Sequence, residues 1–159
     1  MFKVGDKILY PVHGAGIIEA IEEKEITGDK QLYYIINILH KGMKVMIPME
    51  KTTHHGIRNV VEADVMEDVL TTFQLEDDDS SINHIQRHRV NINKLKSGDI
   101  YEAAEVIREL VRISKKKNLG TEDRNTLNNA QQIFLSEMVL VKEIEQDEAV
   151  TLLNDAINH

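Results

Sequence analysis

Both prolines of this 159-residue chain, Pro11 and Pro48, lie in its first third, and none follows. A proline inside a helix removes a backbone hydrogen bond and clashes with the preceding turn, so its position marks where long helices are barred. Ahead of Pro48, valine, isoleucine and tyrosine gather in the runs DKILYP, GAGIIEAIEE, QLYYIINIL and MKVMIPM, separated by HGAG, TGDK and HKGM. β-branched and aromatic residues between glycine-rich turns read as closely spaced strands. Both prolines fall at strand ends, where a missing N–H does least harm. The expected product is a small antiparallel barrel.

From Asn59 onward the apolar residues take helical spacing. Val61, Val65, Val69 and Phe73 line one face, and Ile100, Ala103, Ala104, Ile107, Leu110 and Val111 a second. Leu127, Ala130, Ile133, Phe134, Met138 and Val141 line a third, so this half is expected to be a helical bundle. Asp99 followed by Glu102 is a capping-box signal, with Gly98 placed to close the helix before it. Thr121 is a plausible cap after Gly120, Asp147 would open a last short helix, and LEDDDSS reads as a solvated connector. The chain is thus expected to be α+β, with a β module over residues 1–55 and an all-α domain over 56–159.

Charge is unevenly placed. The formal total is -8, yet residues 82–117 carry nine basic and four acidic side chains, whereas residues 62–79 carry eight acidic and none basic. A basic island between acidic blocks is a footprint of phosphate contact, although the blocks oppose strong binding to free DNA. The competing reading is a solvated helix face held by pairs such as Glu105 with Arg108 and Glu109 with Arg112. No apolar run approaches the roughly 18 residues of a membrane span, and the start MFKVGDKIL resembles no targeting peptide. With no cysteine, disulfides and thiolate metal sites are excluded, and a cytoplasmic protein is expected.

Catalytic patterns are sparse. His84 and His88 stand four apart, as two zinc ligands on one helix face would, but Ile85 sits where the metalloprotease pattern needs a glutamate. Arg87 and Arg89 beside them disfavour a cation. The tandem His54 and His55 near Glu50 lacks a third ligand, and HGAG lacks the dinucleotide-binding spacing. No cofactor, metal or small-molecule substrate is expected.

The opening FKVGDKILYPVHGAGIIEAIEEKEI, the later MKVMIP and the block RVNINKLKSGDIYEAAEVIRELVR together resemble the CarD family of bacterial transcription regulators, which includes the CdnL proteins. The resemblance spans essentially the whole chain. It implies an amino-terminal Tudor-like or SH3-like barrel that binds the β subunit of RNA polymerase, and a helical domain on promoter DNA at the upstream edge of the melted bubble. It implies stabilisation of the open complex and no enzymatic activity.

Residue by residue, the resemblance assigns DNA contact to Arg87, Arg89 and Arg124, with Gln86 replacing a further basic position. Where many members carry a tryptophan that wedges into the minor groove this chain has His84, which could stack on a base, beside Ile85, a candidate apolar wedge. Lys24 and Met46 occupy positions where members carry polymerase-facing arginines. A protein-interaction adaptor without DNA contact, and a metal-dependent enzyme built on the histidines, are the other classes the sequence leaves open.

Overall fold

The computed structural model describes residues 1–76 and 84–158, so most of the expected LEDDDSS connector lies outside the described residues. Strands β1 (Lys7–Tyr10), β2 (Gly14–Ile26), β3 (Asp29–Ile38), β4 (Met43–Pro48) and β5 (Arg58–Asn59) come first. Helices α1 (Ala63–Thr71), α2 (His84–Ser97), α3 (Ile100–Lys116), α4 (Thr121–Lys142) and α5 (Gln146–Asn158) follow, giving the expected α+β order.

The strands form one antiparallel sheet in the order β4-β3-β2-β1-β5. Thr27 and Gly28 join β2 to β3 with φ of 59° and 89°, the paired left-handed residues of the tightest hairpin turn. Pairing between β3 and β4 stops at Tyr33 opposite Pro48, whereas β2 and β3 pair out to Ile26 opposite Asp29. The β2–β3 hairpin therefore extends beyond β4 as a two-stranded ribbon. β5 lies past residue 55 and pairs with β1, Leu9 opposite Arg58. Two residues carry no periodicity, so this strand left no mark in the sequence.

One face of the sheet buries Ile8, Ile18, Tyr34, Ile36, Ile38 and Ile47. The helices enclose a second core around Met66, Val69, Phe73, Ile107, Leu110, Phe134 and Met138. Ile133, expected in the helical core, instead joins Leu140, Leu9 and Ala15 in a third cluster between α4 and the other face of the sheet. Polar contacts follow the same seam: the buried Ser136 Oγ accepts from Ala15 N at 3.0 Å, and Lys7 Nζ donates to Leu140 O at 3.1 Å, near the C-terminal end of α4.

Helix punctuation follows the sequence in part at α3 and closely at α5, and departs from it at α4. Asp99 caps α3, accepting from Tyr101 N at 2.8 Å, and Gly98 takes φ of 76° ahead of it. Glu102 does not complete a capping box; it accepts from the Ser97 hydroxyl, which itself accepts from Asp99 N. Gly120, not Thr121, is the N-cap of α4, and the last short helix expected at Asp147 is α5, which begins one residue earlier with Asp147 in its first turn.

Candidate nucleic-acid interface

α2 carries most of the sequence-predicted DNA residues, and its two sides differ. The buried positions of the described part are Asn91 and Leu95, while Ile85, Gln86, Arg89, Val90, Asn93, Lys96 and Ser97 are exposed. Ile85 is 72% exposed, far more than an isoleucine with a packing role. His84 opens the helix, and its side chain lies outside the described residues. At two residues' separation, about 200° around a helix, Ile85 and Arg89 each stand nearly opposite Arg87.

Arg87 faces inward. Its Nη2 donates to Asp123 Oδ2 at 3.0 Å, with the Arg87 side chain 13% exposed and that of Asp123 1%. His88, the second histidine of the spaced pair, turns to the same helix, with Nε2 3.9 Å from Glu122 Oε2 and Nδ1 4.0 Å from Asp123 Oδ1. Among the described residues no three histidine, aspartate or glutamate side chains are grouped to hold a metal ion. Arg124 is an exposed residue near the start of α4, with one guanidinium N–H on Leu119 O at 3.0 Å.

About half of the basic island is taken up by the fold. Arg108 Nη1 donates to Thr72 O at 2.7 Å, and Arg112 Nη2 to Phe73 O at 3.2 Å and Leu75 O at 2.6 Å. These two arginines satisfy carbonyls where the first helix ends, a task the sequence pairing of Glu105 with Arg108 did not foresee. Glu105 is taken by Lys94 Nζ at 3.0 Å. Among the described residues Arg89, Lys96, Lys116 and Lys117 are exposed, and their side chains make no ion pair or hydrogen bond. The surface available to phosphate is thus narrower than the island read from charge alone.

Lys24 and Met46 lie elsewhere, on the sheet. Met46 pairs with Ile35, which pairs with Ala20; Lys24 follows four residues along β2 from Ala20. Cross-strand partners share a face and strand side chains alternate, so Lys24 and Met46 point to the same side. Met46 is 44% exposed on the edge strand β4, and Lys24 Nζ is 3.3 Å from Glu22 Oε2. The same side, further along, packs on α4 through Leu9 and Ala15.

Comparison with known proteins agrees with both halves of this architecture. A family model described as "CarD-like/TRCF RID domain" matches residues 2–61, and one described as "CarD, C-terminal domain" matches residues 68–154. The chain belongs to the CarD-like family of transcription factors. Within it, the candidate transcription factor YdeB of Bacillus subtilis (strain 168) is 42% identical over 146 residues, covering 92% of this chain and 95% of YdeB. The solution structure of the 72-residue N-terminal domain of Myxococcus xanthus CarD matches at 32% identity and a TM-score of 0.33, over 37% of this chain and 79% of that one.

Three residues of this CarD-like chain escaped the sequence reading. Glu137 had a signal, an acid inside the apolar run IFLSEMVLV, and it proves to be buried against Arg58 of β5. Asp123 had none, because an aspartate in a first helical turn is commonplace. Arg58 sat in a stretch without periodicity. No described helix of the chain is long and apolar enough to cross a membrane.

Proposed function

We propose that this CarD-like protein regulates transcription by engaging RNA polymerase through its β module and promoter DNA through α2, holding the melted promoter open. The observation that carries the DNA half is the outward pair Ile85 and Arg89, free at the start of α2 while neighbouring cations are engaged by the fold. Arg89 supplies a phosphate contact, Arg124 can add a second from α4, and Ile85, with His84 beside it, is the apolar group that meets the fork of the bubble.

For the polymerase half, the β subunit meets the sheet face bearing Lys24 and Met46 and the open edge of β4. An edge strand can add to a partner's strand through its unpaired backbone groups. Tethering to polymerase raises the local DNA concentration, so a few cations suffice on a chain of net charge -8. A factor that binds the open promoter better than the closed one shifts that equilibrium by its differential affinity, and about 1.4 kcal/mol changes the ratio tenfold. No step in this scheme uses a catalytic group or cofactor.

Retention of purified RNA polymerase by the intact protein, followed by footprinting of a polymerase–promoter complex with and without it, tests both halves. Retention and new protection at the upstream edge of the bubble are expected. Retention without protection would reduce the protein to an adaptor, and loss of both would remove the reading.

A further inference from the structure

We infer that Asp123 is a positioning residue for the DNA-facing helix: an acidic side chain that promotes DNA engagement by turning Arg87 inward and so turning Ile85 and Arg89 out. The inference rests on the DNA reading above.

α2 has little apolar surface with which to fix its own rotation. Leu95, close to its C-terminal end, is the one apolar residue of its described part that is buried. The rest of the inner side is polar. Arg87, His88 and Asn91 occupy successive positions of one face, and all three turn toward the body of the protein. Asn91 is 1% exposed with neither amide atom hydrogen-bonded, and His88 Nδ1 is equally without a hydrogen bond. Neither residue therefore holds the helix by a direct hydrogen bond, whereas Arg87 does, through Nη2 to Asp123 Oδ2.

A salt bridge buried this deeply is directional, because a guanidinium removed from water must stay on its carboxylate. Asp123 is itself anchored in the first turn of α4, where helix N-terminal N–H groups favour a negative charge. With Arg87 pinned to it, residues two positions away on either side have only the opposite face open to them. Glu122, the other acid beside this seam, is largely exposed and lies 3.9 Å from His88.

Simple electrostatics makes the contrary prediction. A carboxylate near a phosphate-binding surface repels DNA, so its removal should strengthen binding. The two accounts differ in sign, and so do the two roles open to Arg87. A phosphate-contacting arginine adds roughly one unit to the salt slope of binding, whereas one that only positions the helix adds none.

The experiment compares Asp123→Leu with the double variant Arg87→Met/Asp123→Leu. Each is read by promoter protection in the polymerase complex over a range of salt, and by amide exchange of α2 in the protein alone. Asp123→Leu strands a buried guanidinium and should weaken DNA engagement roughly tenfold or more, with faster exchange over residues 84–97. The double variant replaces the pair by apolar groups of similar size; it should recover both readouts to within about twofold, with an unchanged salt slope. It also keeps the test decisive if Asp123→Leu fails to fold.

Tighter binding by Asp123→Leu would overturn the inference, as would loss of about one unit of slope in the double variant, which would make Arg87 a phosphate contact. If the wild-type protein protects no DNA, the proposed function fails. The exchange measurement then judges Asp123 by itself, and unaltered protection of α2 in Asp123→Leu would reject its positioning role.

Discussion

Arg58 and Glu137 form a two-pronged ion pair across the junction of sheet and helices, with Nη1–Oε2 at 2.7 Å and Nη2–Oε1 at 2.9 Å. Arg58 also donates from Nε to Gly98 O at 2.8 Å, and Glu137 Oε2 accepts from Val61 N at 2.9 Å. One guanidinium thereby ties β5 to α4 and to the corner between α2 and α3. The face that carries Lys24 and Met46 and the helix that carries Arg89 are held to the same joint, so a partner bound at one constrains where the other can reach.

Glu137 is 2% exposed, and its removal would leave a partly buried guanidinium and an amide without their acceptor. Glu137→Ala is expected to destabilise the protein by about 3–5 kcal/mol, measured as a shift of the urea midpoint. Arg58→Ala in the Glu137→Ala background should cost much less than Arg58→Ala alone; additive losses would mean the pair does not act as a unit.

Gly14 has φ of 121°, and a Cβ built there would lie 2.3 Å from the His40 ring. Gly14→Ala combines backbone strain with displacement of that ring and should cost at least about 2 kcal/mol in chemical denaturation. A loss under about 0.5 kcal/mol, the size of an ordinary surface change, would show that His40 can move aside freely.

His40 gives stability a pH dependence of definite sign. Burial first, and the Lys41 ammonium second, hold its pKa below the ordinary 6.5, and its Nδ1 is buried without a hydrogen bond. His13 is shifted the same way, by burial and then by Lys41 and His55. The unfolded chain binds these protons more readily than the folded one, so the contribution is complete above pH 6.5 and lost as the pH falls below it. Urea midpoints between pH 7.5 and 5.5 should fall, and His40→Gln should reduce the drop. A drop of unchanged size in that variant would assign the effect to other groups.

Arg89 projects from α2 with no partner among the described residues. Arg89→Ala should weaken promoter engagement about equally on different sequences and lower the salt slope by roughly one. Ile85→Ala, which removes apolar surface and no charge, should weaken engagement at the bubble edge while leaving the slope unchanged. Equal slopes for wild type and Arg89→Ala would remove Arg89 from the contacts.

Met46 occupies the exposed edge strand on the side shared with Lys24. Met46→Arg, which offers a charge-assisted hydrogen bond, should tighten retention of polymerase by up to about tenfold, and Met46→Glu should weaken it. Binding unaffected by either change in a polymerase titration would move the contact off this face.

The α+β order was legible because periodicity is a local property. QLYYIINIL shows the β-branched and aromatic clustering of a strand, and IYEAAEVIRELV shows the helical spacing of a core-facing helix. Asp99 was readable as a cap because a capping side chain bonds its own neighbouring backbone. Thr121 was misread because Gly120 can serve the same position, and local sequence does not choose between them. β5 left no sign, since its two residues become a strand only when β1 is beside them.

The candidate site was legible as a composition and not as a geometry. Nine basic residues in 82–117 were countable, but which of them face solvent depends on partners distant in sequence. Arg108 and Arg112 are taken by carbonyls 36 and 37 to 39 residues away, and Arg87 by a carboxylate 36 residues away. The sequence by itself determined the order of elements, the faces that must be buried and the concentration of positive charge, because these follow from the spacing of neighbouring side chains. Only the tertiary structure decided which cations are spent inside the fold and which remain for a partner. An ion pair depends on distance in space, and chain separation says nothing about that until the helices have packed.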